Sequence, residues 1–294
     1  MLPVRDGLNP SRLRLPPGDW PTVLVYLLER FPSDAVRLRE KVAADEVVDG
    51  RGAPISEQTP YRSGDFVYLY RDPPVETPVP FDVEILHRDD DLLVVDKPHF
   101  LASTPRGGFI VETALVRLRR KLDLPELSPA HRLDRLTAGV LLFTVHRAAR
   151  RDYQMLFAQR LVQKQYEAIA GFDPAAPLPL LVRSHIVKRP GVLQAQEIPG
   201  PDNSETRIEL IESRDALARY SLLPTTGKTH QLRVHLNSLG IPIVGDPLYP
   251  DVLDIAPDDY RNPLRLLARR LTFDDPRTGQ SRTFTSRRTL DWPD

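Results

Sequence analysis

A proline-rich stretch constrains the fold of this chain more than any other feature. The nine residues from Asp72 to Pro80, with the sequence DPPVETPVP, contain four prolines. Because proline fixes φ and has no amide hydrogen, neither a helix nor a central strand can run through this stretch. We expect a stiff, extended connector. The chain has 294 residues, enough for two domains. We therefore predict a small domain at residues 1–80 and a larger one at residues 81–294.

Hydrophobic spacing, capping residues and turn residues predict helices and strands in both domains. We expect helices at Val23–Phe31, Ala35–Ala44, Glu112–Leu122, Ala148–Gln159 and Thr229–Gly240, and strands at Phe66–Tyr70, Val83–His87, Leu92–Val95, Gly139–Val145 and Tyr166–Ala170. The strand after Gly139 is apolar throughout and only seven residues long, which is typical of a strand buried on both faces. The pattern predicts an α+β protein with a mixed or antiparallel central sheet, flanking helices and a small N-terminal domain containing both helices and strands.

Composition excludes several classes of protein. The absence of cysteine excludes disulfides, thiolate metal sites and cysteine nucleophiles. No apolar run approaches the ~18 residues of a membrane span, and the N-terminus lacks the apolar core of a signal peptide. We therefore expect a cytoplasmic protein that does not enter membranes.

Charge is balanced over the whole chain but uneven along it. Forty basic residues match forty acidic ones, yet residues 115–165 hold eleven basic and four acidic residues. Residues 261–288 hold eight arginines and two aspartates. Either run is typical of a solvated face when taken alone, but two such runs in a neutral protein favour a polyanionic partner.

The segment HRLDRLT, residues 131–137, places a carboxylate between two arginines directly before the buried strand. Nearby positive charge favours the ionised form of Asp134, which suits a nucleophile or an electrostatic stabiliser better than a general acid. A structural ion pair is a slightly better interpretation of these seven residues alone.

A second polar segment, TGKTHQLR at residues 226–233, leads from a glycine turn into a helix N-terminus, where free amides attract phosphate. On that helix Thr229 is the expected N-cap, and Leu232, Leu236 and Leu239 form the expected buried stripe. His230, Arg233 and Asn237 share the opposite face, which could simply be solvated. A nucleotide P-loop is excluded because Leu222 stands where the upstream glycine is required. A third segment, Lys164-Gln165-Tyr166, is uninformative alone.

Metal sites and serine hydrolase sites find no support in the sequence. It lacks the His-Glu-x-x-His spacing of zinc enzymes, and His230 and His235 diverge on a helix. It also lacks the Gly-x-Ser-x-Gly turn of the α/β-hydrolases. We expect neither a metal nor an organic cofactor.

Taken together, these segments resemble the RluA-type pseudouridine synthases over roughly residues 83–284. The similar motifs are LVVDKP at residues 93–98, HRLDRLTAG at 131–139, KQY at 164–166, TGKTHQLRVHL at 226–236, and GIPIVGD at 240–246 followed by Tyr249. Ala138 stands where the family usually has serine, Lys228 replaces the commoner arginine, and Leu267 stands near a usual histidine. We interpret the Leu267 position as core packing. The segment before Pro80 only weakly resembles the alpha-L RNA-binding motif.

The resemblance implies isomerisation of uridine to pseudouridine in structured RNA, ribosomal or transfer RNA, by a monomer without a cofactor. It also implies residue roles. Asp134 matches the nucleophile, Arg233 the arginine that pairs with it, and Tyr166 the tyrosine that stacks on the base. Arg132 matches a residue that fills the space left by the flipped uridine. Lys228, His230, Thr137 and Lys97 are then candidate substrate contacts, the lysines and the helix start at His230 facing phosphates.

Two alternatives come from other functional classes. One is an RNA-binding or ribosome-assembly factor without catalysis, although such a factor needs no nucleophile. The other is a carboxylate-dependent hydrolase acting on a nucleoside or sugar. A typical glycosidase needs a second acidic residue across the bond, and these motifs supply none.

Overall fold

The chain divides into two compact units. The structure, a computed structural model, describes residues 2–175 and 177–293, and the units are Met1–Val75 and Glu76–Asp294. This boundary lies five residues before the predicted one because the Glu76 carboxylate accepts hydrogen bonds from the amides of Ile110, Val111 and Glu112. Val79 also packs in the core of the larger unit. The second half of the proline-rich stretch therefore belongs to that unit.

In its described residues, the smaller unit is a three-stranded antiparallel sheet with two α-helices. Its elements are β1 (Ser11–Arg14), α1 (Val23–Arg30), α2 (Ala35–Ala43), β2 (Val47–Asp49) and β3 (Phe66–Leu69), with β3 in the middle of the sheet. Thr22 begins α1 because its side chain accepts the Val25 amide at 3.3 Å. Both predicted helices and the predicted strand are confirmed to within one residue at each end.

The described residues of the larger unit contain three α-helices and most of the strands. Its helices are α3 (Ala114–Leu122), α4 (Arg150–Ala158) and α5 (Gln231–Ser238). Its strands are β4 (Glu84–Arg88), β5 (Leu92–Lys97), β6 (Ser128–Pro129), β7 (Ala138–Thr144), β8 (Gln163–Gly171), β9 (Leu180–Ser184), β10 (Ile186–Val187), β11 (Gln196–Glu197), β12 (Ser204–Arg214), β13 (Leu217–Pro224), β14 (Leu266–Asp274) and β15 (Ser281–Thr285). None of the helices in the described residues is long and apolar enough to cross a membrane.

The central sheet is mixed, which confirms the predicted α+β class. Its strand order is β4-β5-β7-β14-β8-β13-β12-β9, with β15 paired to β14 and β6 to β7. The β7–β14 pairing is parallel, and the other neighbours on this path are antiparallel. Strands β10 and β11 form a separate hairpin.

Both faces of the sheet are covered, which explains why β7 is apolar throughout. Leu141 and Phe143 of β7 pack in one cluster with α3 and α5. Val140 and Leu142 point the other way, into a cluster with α4. All seven residues of β7 are buried, so a strand with no polar face is the expected outcome.

The close approach of β7 and β14 brings the polar segments together. Ala268 of β14 pairs with Gly139 of β7 on one side and with Tyr166 of β8 on the other. Gly139 has φ +110°, and a Cβ there would lie 2.2 Å from the Ala268 carbonyl oxygen. Only glycine fits this crossing. The loop before β7 and Tyr166 on β8 therefore open into the same region.

Helix α5 is shorter than predicted. It begins at Gln231 instead of Thr229, and the residue before it, His230, has the left-handed φ of 59°. Leu232 and Leu236 are buried as predicted, but Leu239 is 39% exposed and lies beyond the last helical residue. The predicted polar face is also wrong in part, because Arg233 is almost completely buried.

Candidate active site

A basic cleft of about 810 Å³ lies in the larger unit, between the loop before β7, the start of β8 and the turn before α5. Seven cationic side chains line it: Arg106, Arg132, Arg135, Arg160, Lys164, Lys228 and Arg233. Asp134 is the single carboxylate among the described residues of its wall. A concave surface with this charge attracts a polyanion and isolates one anionic side chain at its floor.

The loop that carries Asp134 is anchored on both sides of the carboxylate. Leu133 and Leu136 are buried in the core. Ser103 binds the backbone of Leu133 at two points, donating to its carbonyl at 2.7 Å and accepting its amide at 3.1 Å. The Thr137 amide donates to the Asp134 carbonyl at 3.1 Å and closes a turn. The Asp134 side chain itself remains 31% exposed in the cleft.

Arg233 lies behind Asp134 and is held by a second aspartate. Its Nε and Nη2 donate to the two oxygens of Asp246 at 2.7 and 2.6 Å, a bidentate pair. Its remaining nitrogen, Nη1, lies 3.6 Å from Asp134 Oδ2. Burial works against the charge of Arg233, but the hydrogen bonds and charge of Asp246 raise its pKa above the ordinary value. Arg233 is thus a fixed cation facing Asp134.

Asp246 is a site residue that sequence reasoning missed. The sequence shows it only as the end of the GIPIVGD segment, without a role. Its side chain is fully buried against Arg233, and its Oδ1 also accepts the Leu248 amide at 2.8 Å. A buried cation with such a partner keeps one orientation. The expected contact between Arg233 and Asp134 is therefore longer than the Arg233–Asp246 hydrogen bonds, and Asp246 fixes the orientation of the guanidinium.

His230 also faces Asp134. Its Nε2 lies 3.9 Å from Oδ2, and its Nδ1 is 3.0 Å from the Tyr249 hydroxyl. Burial lowers the pKa of His230 to about 4 despite the neighbouring carboxylate, so the imidazole is neutral at pH 7. The ring therefore adds no positive charge at the start of α5, and the predicted phosphate contact at this helix start stays a prediction that depends on backbone amides.

Tyr166 contributes a half-buried aromatic ring to the cleft and packs against the main core cluster. Burial raises the pKa of its phenol, and the negative charge of Asp134 raises it further. Tyr166 is therefore a neutral phenol in the free protein. Its ring can stack on a base, and its hydroxyl can donate a hydrogen bond or relay a proton.

Three further cationic residues form one wall of the cleft. Arg132 is exposed at the rim, and Lys228 is exposed on the turn before α5. Lys164 is less exposed and donates from Nζ to the Thr226 carbonyl at 2.6 Å. Burial, and then the charge of Arg160, lower the pKa of Lys164 to about 8. These side chains are available to a polyanionic ligand, in contrast to Arg233.

Two other predicted contacts, Lys97 and Thr137, hydrogen-bond within the loop that carries Asp134. Lys97 is fully buried, and its Nζ donates to the carbonyls of Pro98, Leu101 and Arg135 at 2.8, 2.8 and 3.2 Å. Its interpretation as a phosphate contact is wrong because those bonds use all three ammonium hydrogens. Thr137 is buried at the floor of the cleft, where its amide closes the Asp134 turn.

Two of the three departures from the family pattern, Ala138 and Leu267, lie in the core. Leu267 is completely buried and packs with Ala138, Ile169 and Leu290, so the prediction of core packing is confirmed. Within the described ranges, no group of three or more histidine, cysteine, aspartate or glutamate side chains is arranged to hold a metal ion.

Comparison with known proteins identifies the family. The family model for RNA pseudouridylate synthase matches residues 91–238, half of the chain. The dual-specificity RNA pseudouridine synthase RluA of Escherichia coli K12 is 37% identical over 207 residues, which cover 68% of this chain and 90% of that protein. An uncharacterised RNA pseudouridine synthase of Synechocystis is 32% identical over 232 residues, 76% of this chain and 77% of the relative.

A solved structure agrees with the sequence relatives. Human RNA pseudouridylate synthase domain containing 4 is 27% identical and superposes with a TM-score of 0.56, covering 69% of this chain and 88% of the human one. The chain therefore belongs to the RluA-type pseudouridine synthases, the enzymes that isomerise uridine to pseudouridine in RNA.

Proposed function

We propose that Asp134 is the nucleophile, attacking C1′ of a uridine that has been flipped out of a structured RNA. The observation that carries the proposal is the isolation of this carboxylate. It faces the fixed cation of Arg233 at 3.6 Å, in a cleft whose other charged walls are basic. A cation at this distance attracts the negative charge that a carboxylate nucleophile carries.

The reaction exchanges one glycosidic bond for another. The bond between uracil N1 and ribose C1′ breaks, the uracil turns, and its C5 forms the new bond to C1′. C5 then loses its proton and N1 gains one, so the reaction needs neither an oxidant nor a cofactor. Arg233 stabilises charge on Asp134 when the carboxylate is released from the sugar. Tyr166 enters as a neutral phenol, so it stacks on the uracil and relays the C5 proton instead of starting as a free phenolate.

RNA is held by the wall of the cleft. Arg132 occupies the space left by the flipped uridine, while Lys228 and Lys164 contact phosphates. A folded stem-loop of ribosomal or transfer RNA fits this arrangement, because base extrusion there costs a few kcal/mol that an inserted side chain offsets. We further propose that the protein acts as a cytoplasmic monomer. Light scattering of the eluting protein, with and without RNA, measures its oligomeric state.

The test compares two aspartate variants of the full chain. Asp134→Asn keeps the shape of the side chain and removes its charge, so pseudouridine formation in a stem-loop RNA should fall by at least about 10³-fold. RNA affinity should change by no more than a few-fold. Asp123→Asn is the matched control, because Asp123 ends α3 in a left-handed conformation that asparagine also adopts. Substantial turnover by the Asp134→Asn protein would remove this residue from its role.

A further inference from the structure

His230 has a strained backbone next to the proposed nucleophile. Its φ of 59° and ψ of 16° are left-handed, a conformation that costs a residue other than glycine roughly 1 kcal/mol or more. Its side chain is 11% exposed, and its Nε2 is directed toward Asp134 Oδ2. Strain at such a position is retained when the side chain has a task in the site.

The contacts of Tyr249 assign the tautomer of His230. The Tyr249 hydroxyl accepts the Ala195 amide hydrogen at 2.7 Å and donates its own hydrogen to the Ala195 carbonyl at 2.8 Å. Because that bond uses the only hydrogen of the hydroxyl, the Tyr249 oxygen can form a hydrogen bond with His230 Nδ1, 3.0 Å away, only as the acceptor. His230 therefore carries its hydrogen on Nδ1. Because the ring is neutral at pH 7, Nε2 has a free lone pair.

The position of Nε2 matches one group of the substrate. A free lone pair beside a carboxylate is unfavourable unless a hydrogen-bond donor lies between them. The 3.9 Å separation between Nε2 and Asp134 Oδ2 leaves room for a hydroxyl that donates its one hydrogen to Nε2 at about 2.8 Å. When Asp134 attacks C1′, the 2′-hydroxyl on the neighbouring ribose carbon lies within a few ångströms of the carboxylate. Deoxyribose has no hydroxyl there.

We infer that His230 recognises the 2′-hydroxyl of the target ribose by accepting a hydrogen bond from it at Nε2. This contact selects RNA over DNA at the reacting nucleotide. The inference rests on the proposed function, because it requires the ribose to lie at Asp134. It gives Tyr249 a role as the positioning residue that sets the tautomer. It also explains why a histidine is held in a left-handed conformation at the start of α5.

The experiment measures RNA affinity in an unreactive form of the full chain. Asp134→Ala removes the nucleophile and leaves Nε2 free to accept. Its Kd is measured for two copies of a stem-loop that the wild-type enzyme modifies, carrying either uridine or 2′-deoxyuridine at the target. We expect the deoxyuridine copy to bind about five- to tenfold more weakly, the effect of one hydrogen bond.

Second substitutions at position 230 then separate the two ring nitrogens. His230→Asn keeps a donor for Tyr249 and has nothing at the Nε2 position, so both RNAs should bind equally weakly. His230→Gln places an amide oxygen near that position and should recover part of the preference. The His230→Gln variant still tests the inference if the His230→Asn protein folds poorly. His146→Asn is the matched control, because His146 pairs with Asp91 outside the cleft, and it should keep the full preference.

The outcomes are distinct. Equal affinity of the Asp134→Ala protein for the two RNAs, or an undiminished preference after His230→Asn, overturns the inference. If the wild-type enzyme still forms pseudouridine in that case, the proposed function stands and only the role of His230 fails. If the wild-type enzyme forms none in any RNA, the proposed function itself fails.

Discussion

Arg132 and Arg135 flank Asp134 in sequence but have different surroundings. The Arg135 guanidinium lies 4.8 Å from the centre of the Phe109 ring and donates to the Phe100 carbonyl at 3.4 Å. Arg132 is instead exposed at the rim of the cleft. Sequence alone treats the two arginines as equivalent neighbours of a carboxylate. Of the two, Arg132 is the more exposed, which is why we propose that it is the one that inserts into RNA.

The first prediction concerns the side chain of Arg132. A planar guanidinium stacks on bases and hydrogen-bonds in its own plane, which a lysine cannot do. Arg132→Lys should therefore lose nearly as much activity as Arg132→Ala, about tenfold or more on a uridine in its native stem-loop. Both losses should be smaller on an unstructured oligonucleotide, where the base is already unstacked. Full rescue by lysine, or a loss in the Arg132→Ala variant that is equal on the two substrates, would reduce Arg132 to a phosphate contact.

Lys164 predicts a pH dependence of RNA binding. Its pKa of about 8, lowered mainly by burial, means that the free enzyme loses this positive charge as the pH rises through 8. Phosphate binding favours the charged form, so binding above pH 8 requires proton uptake. The RNA Kd should rise between pH 7 and 9, by up to about tenfold per pH unit above 8.

Lys164→Arg supplies the control for that titration. Arginine stays charged throughout this range, so the variant should show a flatter dependence at the same salt concentration. A wild-type Kd that does not change between pH 7 and 9 would contradict the phosphate contact assigned to Lys164.

Individual elements differ in how far the sequence could predict them. The apolar run of β7 predicts burial on both faces, and that prediction is confirmed. The sequence does not predict strand β12, because two of its buried positions hold the polar residues Ser204 and Thr206. These two bind the ring nitrogens of His235 at 3.1 and 3.0 Å. When a buried strand position holds a polar residue that is hydrogen-bonded by a histidine far away in sequence, the sequence no longer shows the alternation of apolar and polar residues that predicts a strand.

Helix α5 shows the same limit within the site. A helical spacing places His230, Arg233 and Asn237 on one side, but it cannot distinguish a solvated face from a buried ion pair. The partner that buries Arg233 is Asp246, beyond the end of the helix. Likewise, nothing local to Lys97 indicates the three carbonyls that surround it. Long-range partners decide both cases.

The crossing of β7 and β14 gives a prediction at the scale of elements. Gly139→Ala would place a Cβ 2.2 Å from the Ala268 carbonyl at a φ of +110°, so the two strands must separate. We expect the free energy of unfolding in urea to fall by at least about 3 kcal/mol. Gly279→Ala is the control, because Gly279 has φ +70° but open space around it, and it should cost only about 1–2 kcal/mol. Equal losses in the two variants would mean that the crossing tolerates a side chain.

At the scale of the whole molecule, the two units have separate cores. Unit Met1–Val75 packs around its own cluster of buried residues. Among the residues that the structure describes, the cleft is lined only by residues of the larger unit. The smaller unit has ten basic and eleven acidic residues, a balance that gives little attraction for RNA. We therefore place the chemistry in the larger unit alone.

A fragment of residues 74–294 should fold and keep single-turnover pseudouridine formation at saturating RNA within a few-fold. A fragment that starts at Val79 lacks Glu76, whose carboxylate holds three amides of the segment before α3. It should lose about 3 kcal/mol of stability. A hydrogen bond to a charged group contributes about 1.5–3 kcal/mol when buried, and each of these three contributes less because it is only partly buried. Thermal unfolding and single-turnover rates check both fragments. An inactive but folded 74–294 fragment would place part of the active site in the smaller unit.

The central claim is that this enzyme breaks the N1 glycosidic bond and forms the C5 bond without releasing the base. The direct measurement uses stem-loop RNA whose uridines carry tritium at C5 and carbon-14 in the ring. The wild-type enzyme should release tritium to water while all of the carbon-14 stays in the RNA, and Asp134→Asn should release neither label. Free labelled uracil would instead indicate a hydrolase, and tight binding without tritium release would indicate an RNA-binding factor; either result would contradict the account.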